Sequence, residues 1–572
     1  MRCCLTWSLV VLVMHLCLPC LRAQQTSSVP LQATDPAEDK QRSPGNMAST
    51  YVPLDSWVYP AFERMAALGY VQTGFVGLRP WTRMECARQL MEAEDLGAGE
   101  AEASVQQLYR GLSSEFAQEL ERLEGSSPNK GVQLESAYTR FTGISGQPLI
   151  DGYHFAQTLT SDFGRPYGEG TNWYAGGATR AVAGPFAFYV RAEYQDSAPS
   201  PVVPPAAQNA IAQADFTPTA AAGPVTGEAR GRLLDAYASV VFKNNQLSFG
   251  RQSLWWGPSY SSPLLFSDNP LPIPMLRYDR VKPFKLPWFL GVVGPIRMQF
   301  FVGQLSGQQF VKTSTVIGQS GRSLNPQPFI NGAKISFKPL PDLEFSLSKT
   351  TIFGGPGFPV TWNSFWRSVF STGEAPGSND PGDRRAAFDV QYRIPGLRNW
   401  LTFYCDAFAD DEVFPLAQPN HSVWAPGIYL PKLPHLPKVD FRAEGSVTPE
   451  RLFPGFFYFN VHYLSGYTND RQLIGTWTGR QGSGFQVWST YWISARNKIQ
   501  ASYRGMWVDH SFLQGGWVKD ASVLTEFSIR PEISLQASVQ YERWSFPLLS
   551  TTKMTNLASS VQITYSPTWR RR

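Results

Sequence analysis

Near the C-terminus, Glu532 to Glu542 alternates polar and apolar side chains without a slip. Ile533, Leu535, Ala537, Val539 and Tyr541 share one face of an extended chain, and Glu532, Ser534, Gln536, Ser538, Gln540 and Glu542 share the other. A period of two predicts a strand that meets unlike surroundings on its two sides. Only Arg530-Pro531 separates it from the preceding run, Val518 to Ile529, so the two are expected to pair as a tight hairpin. Lys498 to Val508 precedes them across a short turn at Ala495-Arg496-Asn497. Strands of about ten residues with one apolar face fit a bilayer-spanning barrel. A soluble sandwich is the alternative.

Other strands repeat the pattern. Phe186, Phe188, Val190, Ala192 and Tyr194 oppose Arg191 and Glu193; Leu343, Phe345 and Leu347 oppose Glu344, Ser346 and Ser348; Val439, Phe441 and Ala443 oppose Asp440, Arg442 and Glu444. Charged faces on so many strands need a polar lumen to point into. Connection lengths agree. Short ones are read at 530–531, 495–497, 448–451, 395–398, 339–342 and 243–245, with another near Pro287. Long ones are read at 544–556, 509–517, 465–484, 409–436, 354–385, 304–328, 256–274 and 196–229. Alternating short and long turns suit a barrel with one end at each membrane face and about 18 strands. Val132 to Phe141 is left over from the count, and Met275 to Leu286 is the weakest strand in it.

Composition agrees with a barrel. Aromatics make up 14% of the 572 residues, yet mean hydropathy is only −0.23, as expected when apolar and polar positions alternate. After the N-terminus no apolar run reaches the roughly 18 residues of a helical span. The net charge of +5 is small, with no basic block beyond Arg570-Arg571-Arg572, so nucleic-acid binding has no support. Met1 to Ala23 reads as a signal peptide, with cleavage near Ala23. Cys17 and Cys20 lack the small preceding residues that lipid attachment requires. Cys86 and Cys405 lie too far apart in pattern to imply a disulfide framework.

Residues 24–50 read as a disordered tether and 51–125 as a helical bundle, a periplasmic plug ahead of the barrel over 132–569. Asp55 is expected to cap a helix from Trp57 to Leu68, Thr82-Arg83-Met84-Glu85 to open a second through Glu94, and 99–125 to supply a third. The segment 197–223 is rich in Pro and Ala and is expected to be mobile.

The opening Asp55-Ser56-Trp57-Val58-Tyr59-Pro60-Ala61-Phe62-Glu63-Arg64, then Gly69, then Leu78-Arg79-Pro80-Trp81-Thr82-Arg83-Met84-Glu85 resembles the start of the capsule assembly Wzi family. More loosely it is similar to the S-layer homology module. Trp255-Trp256-Gly257-Pro258, followed by Asp268-Asn269-Pro270, resembles the Wzi family's Trp-Trp-Gly-Pro segment and the loop after it. The resemblance runs in order over residues 51–569. It implies an outer-membrane lectin that holds capsular polysaccharide at the cell surface, without enzymatic turnover.

The residues themselves suit sugar binding. Sugar CH faces stack on indole, and planar polar side chains take paired hydroxyls. Trp255, Trp256, Asp268 and Asn269 are therefore candidate polysaccharide contacts, with Arg277 and Arg280 placed to meet uronate carboxylates. An interfacial Trp girdle beside a structural loop is the alternative for the Trp pair. No catalytic motif stands out, no cofactor is expected, and no metal is expected. His154 and His462 fall in strand-like runs, and the acidic cluster Asp406, Asp410, Asp411 and Glu412 reads as a solvated rim sooner than a calcium site. Expected partners are an acidic capsular or extracellular polysaccharide, outer-membrane lipid and the barrel assembly machinery, for a monomer. A porin with a cell-wall-binding helical module is the rival function.

Overall fold

A computed structural model of the protein describes residues 44–219, 226–370, 382–410, 415–448 and 453–567. The expected signal peptide, most of the tether, Asp411, Glu412, Trp569 and the terminal arginines lie outside them. The fold is a closed antiparallel barrel of 18 strands. In chain order these are β1 (Lys130–Ser145), β2 (Gly170–Ala183), β3 (Phe186–Asp196), β4 (Ala229–Phe242), β5 (Asn245–Gln252) and β6 (Ile273–Arg280). There follow β7 (Pro295–Gln304), β8 (Phe329–Leu340), β9 (Leu343–Phe353), β10 (Asp383–Arg393), β11 (Thr402–Asp410) and β12 (Val423–Leu430). The last are β13 (Val439–Val447), β14 (Gly482–Trp492), β15 (Lys498–Val508), β16 (Gly516–Arg530), β17 (Ile533–Ser545) and β18 (Met554–Tyr565). Neighbours in sequence pair, and β18 closes on β1 with Ile563 opposite Thr139. Closure leaves no unpaired edge, which is the condition for a sheet in hydrocarbon.

Alternation sorts the side chains as the sequence predicts. On β3, Phe186, Phe188, Val190 and Tyr194 are 45–49% exposed, while Tyr189, Arg191, Glu193 and Gln195 are buried. Leu247, Phe249, Ile335, Leu347, Val523, Val539, Val561 and Ile563 continue this outward apolar surface around the wall. So much exposed hydrocarbon is incompatible with water and matches lipid. No described helix is long and apolar enough to cross a membrane. The crossing is made by strands.

The weakest strand of the count is present, and three other expectations about the strands change. Val132 to Phe141 belongs to β1, the first strand, and Ile273–Arg280 is a barrel strand paired on both sides. Of the turn read at 448–451 only Thr448 is among the described residues, no barrel strand is described between it and β14, and 409–436 contains the whole of β12. The short turn there is 431–438 instead, so the total is unaffected while two strands move.

Four helices lie at the short-turn end: α1 (Val58–Ala67), α2 (Arg83–Asp95), α3 (Ala103–Glu115) and α4 (Ala117–Leu123). The single third helix expected over 99–125 breaks at Phe116, whose backbone ends α3 and starts α4 and whose buried ring sits 4.6 Å from the Arg83 guanidinium. Thr82 caps α2 by accepting from the Glu85 N–H at 3.2 Å, but the Glu85 side chain turns to Arg88. Asp55 does not cap α1. Its carboxylate takes both Arg191 NH groups of β3 at 2.7 and 2.9 Å, because a charged bidentate partner outcompetes a backbone amide.

The bundle is fastened to the inner wall by charge. Glu63 pairs with Arg79 and with Arg442 of β13; Glu344 of β9 accepts from Val76 and Gly77 N–H at 3.0 and 2.9 Å; Arg64 donates to Pro431 and Pro437 carbonyls. Trp492 and Ala495, at the end of β14 and in the turn after it, join the bundle's apolar core.

Toward the long-loop end the lumen is occupied by chain. Residues of loop 253–272 (Leu264, Leu265, Phe266) and of loop 448–481 (Phe457, Tyr458, Tyr463, Tyr467, Ile474) form one buried core with inward Phe301, Ile330, Ile352 and Phe408. The inner wall is thus apolar where loops press on it and polar elsewhere. Asp406 and Asp410, expected on a solvated rim, point into this packing: Asp406 accepts from Leu264 N–H at 2.8 Å and Asp410 pairs with Arg385. His154 and His462 lie in loops, not strands. Within 197–223, expected to be mobile, Pro205–Ala214 forms a helix, α5, with Ala207 and Ala212 buried.

Candidate sugar site in the lumen

Trp255-Trp256 leaves β5 and turns inward, where it pairs antiparallel with Leu78-Arg79 of the bundle. The contact is close. Gly257 N–H donates to the Gly77 carbonyl at 2.9 Å, and a Cβ on Gly257 (φ 153°) would stand 2.6 Å from an Asp406 carboxylate oxygen. The Trp-Trp-Gly-Pro segment therefore joins barrel to bundle.

The two indoles differ. Trp256 is wholly buried, donates from Nε1 to Gln299 at 2.9 Å, and packs edge-on against Phe266 and Phe301. Trp255 lies under the Arg79 guanidinium at 5.8 Å and lines a cavity of about 430 Å³. That volume falls in the range of small-molecule sites. The cavity's floor is Leu54 to Glu63, its roof is Thr158 to Asp162 with Tyr260 and Ser261, and its wall is β1 and β14 to β18. Trp57, Trp255, Tyr260 and Trp488 give it aromatic faces; Ser522, Ser538, Ser560, Gln486, Gln536 and Gln540 give it hydroxyls and amides.

Its charges are mostly matched. Arg140 pairs with Asp162, Arg504 with Asp520 at 2.5 Å, and Lys498 with Glu526 at 3.2 Å. Three buried polar atoms of its lining residues find no hydrogen-bond partner among the described residues: Trp255 Nε1, Asp268 Oδ1 and Arg140 Nε. Burial first, then the nearby Asp55 and Asp162, push the Asp268 carboxyl up to about 8. At neutral pH it is an un-ionised acid, able both to donate and to accept.

The other candidates are placed elsewhere. Asn269 braces the loops, donating to the Leu473 carbonyl at 2.9 Å and accepting from Ser161 N–H at 3.2 Å. Arg277 is fully buried with Asp279 at 3.0 Å and sits over Tyr51. Arg280 lies at the short-turn rim, donating to the Lys243 carbonyl. Neither arginine reaches the cavity. Tyr260 and Trp488, 5.2 Å apart and edge to face, were not singled out from sequence because they come from separate elements.

The profile of the capsule assembly protein Wzi family matches residues 140–558, from within β1 into β18. The chain belongs to that family. A solved Wzi structure, described as an outer membrane protein involved in group 1 capsule assembly in Escherichia coli and as a carbohydrate-binding β-barrel, superposes with a TM-score of 0.66 at 18% identity. The match covers 91% of this chain and 100% of that one, and the likeness is one of fold. A Klebsiella pneumoniae protein, described as an uncharacterized 55.8 kDa protein in the cps region, is 29% identical over 181 residues, which is 31% of this chain. The matched stretch spans about a third (33%) of that relative. In this Wzi-family member the Trp pair thus divides its work: Trp256 builds the core and the buried Trp255 lines the cavity.

Proposed function

We propose that this Wzi-family barrel sits in the bacterial outer membrane, with α1–α4 on the periplasmic side as a plug. There it binds capsular or extracellular polysaccharide from the loop end and retains it at the cell surface. The observation that carries this reading is the occupied lumen: helices and inward-folded loops take up the space a channel would leave open. Within the barrel, the cavity beside Trp255 and Asp268 is the pocket proposed for a sugar unit. Its aromatic faces and its serine hydroxyls and glutamine amides suit the CH faces and neutral hydroxyls of a sugar. Any carboxylate on the glycan would be met outside the cavity, since Arg277 and Arg280 are engaged elsewhere. No catalytic turnover is proposed.

The test is a deletion strain complemented by wild type or by Trp255→Ala. Polysaccharide should become cell-free without the protein, and the purified variant should bind the glycan at least tenfold more weakly. Unchanged surface polysaccharide in the deletion strain, with no glycan bound by the purified barrel, would refute the reading.

A further inference from the structure

One sector of the wall carries exposed aromatic side chains at both of its ends. At the long-loop end a helix, α6 (Trp362–Phe370), lies outside the barrel. Ser368 is its buried residue. It accepts from Asn331 of β8 at 2.6 Å through its hydroxyl and from Thr351 of β9 at 2.8 Å through its carbonyl. Phe365 packs on Phe353 of β9 at 6.2 Å. Asn331 shares its face with the exposed Ile335, and Thr351 shares its face with the exposed Leu347, so the helix rests on the lipid-facing side of these strands. It seals two outward polar groups that would otherwise meet hydrocarbon unpaired.

The opposite face of α6 is a stripe of rings. Trp362, Trp366 and Phe370 are 76%, 50% and 69% exposed and stack in sequence at 6.1 and 5.3 Å. At the other end of the same strand β8, the turn between β6 and β7 presents Trp288 and Phe289, 92% and 78% exposed, beside the exposed Lys282 and Lys285. The turn meets the β8 end closely, since a Cβ on Gly294 would strike the Lys338 carbonyl.

β8 has 12 residues. At about 3.3 Å per residue and a tilt of about 40°, it raises one aromatic patch about 28 Å above the other. That is close to the roughly 25 Å apolar band of a barrel with aromatic girdles at both interfaces. Tryptophan with its polar edge, and lysine with its headgroup-seeking ammonium, are the side chains suited to that depth.

We infer that α6 and the Trp288-Phe289 turn are a matched pair of lipid anchors. They engage the headgroup–acyl boundary of opposite leaflets and fix the depth of this sector in the bilayer. A helix on the outer wall faces lipid before it faces polymer, which favours lipid over glycan as what the α6 stripe meets.

Full-length protein carrying Trp366→Cys, Val360→Cys, Phe289→Cys or, as an aqueous control, Ser314→Cys can be labelled with bimane and placed in phosphatidylcholine vesicles. Cys86 and Cys405 are buried. Heat-modifiable gel migration verifies that each variant is a folded barrel. The expected result is at least twofold stronger quenching at 366, 360 and 289 by lipids brominated high on the acyl chain than by lipids brominated near its end. Aqueous iodide should quench those sites several-fold less than 314. Iodide access at 366 and 360 equal to that at 314, with no quenching by lipid, would overturn the inference. Recovery from iodide on adding polysaccharide would then assign the stripe to glycan. Iodide access at 289 alone would overturn the paired anchoring.

Discussion

Asp268 shows how much of the site depends on where a residue is put. In sequence it reads as one polar candidate contact among several; buried beside Asp55 and Asp162 it ionises only near pH 8. Its unfolded counterpart ionises near 3.8, as an ordinary aspartate does. The native state therefore holds a proton that the unfolded state has lost, and stability falls as pH rises through that window and levels off above about 8. Asp268→Asn keeps the shape and cannot ionise. Its thermal midpoint in detergent should exceed wild type's by a margin that grows from pH 5 to 8; a constant margin would contradict this. The Trp pair separates by the same logic. Trp256→Ala should cost about 3–5 kcal/mol by removing a fully buried ring and should lower the thermal midpoint. Trp255→Ala should leave that midpoint much closer to wild type while weakening glycan binding. Equal loss of stability in both would mean that Trp255, too, is framework.

Elements were legible where their two faces meet unlike surroundings. β3, β9 and β17 alternate because lipid lies outside and polar groups inside. β12 was missed because Val423 and Ala425 face the apolar packing of inward loops, so that Val423-Trp424-Ala425-Pro426 carries no polar beat. The aromatic run between the turns read at 448–451 and 465–484 reads as a strand for the converse reason: Phe457, Tyr458 and Tyr463 are apolar because they fill the lumen. The cavity was illegible because it is assembled from the bundle, two loops and six strands. Loops also lock to one another in ways no local pattern announces. His154 of loop 146–169 lies between Asp151 at 2.8 Å and Asp215 at 2.9 Å, and Asp215 also pairs with Arg480 of loop 448–481 at 2.5 Å. Burial works against the imidazolium, but the two carboxylates outweigh it and hold its pKa up at about 9. The contribution is complete below about 6.5 and is lost as pH rises toward 9. Limited proteolysis of the loops should accelerate several-fold between pH 7 and 9. His154→Leu should be fast at both, since it leaves Asp151 and Asp215 without their shared partner. A wild-type rate that is flat across that range would exclude the latch.

At the scale of the whole molecule, an 18-strand barrel could enclose a conducting pore. Here two different stoppers divide the lumen. On the β6–β12 side the core of inward loops fills it at the long-loop end, with Phe75 and Leu78 as the bundle's share of a core that otherwise comes from loops and wall. On the side of β1 and β14–β18 the wall keeps its serines and glutamines, and the cavity beneath Thr158 to Asp162 is floored by Leu54 to Glu63. The bundle thus floors the polar half, while a loop core around Phe155, Trp477, Phe512 and Trp544 closes it at the long-loop end. The bundle is held by ion pairs at Arg191 and Arg442 and by Val76 and Gly77 N–H donating to Glu344, so a path for ions exists only if those fasteners let go. In planar bilayers wild type should show little steady conductance. Removing residues 44–125 should raise conductance, because the polar half then lacks its floor and keeps only its loop roof, while the opposite half loses only Phe75 and Leu78 from its core. Paired replacement of Arg191 and Arg442 by Gln should give intermittent openings, as the floor detaches and returns without leaving the chain. Large steady currents from wild type would mean that the lumen is open in the membrane, and would favour transport over retention as the work of this barrel.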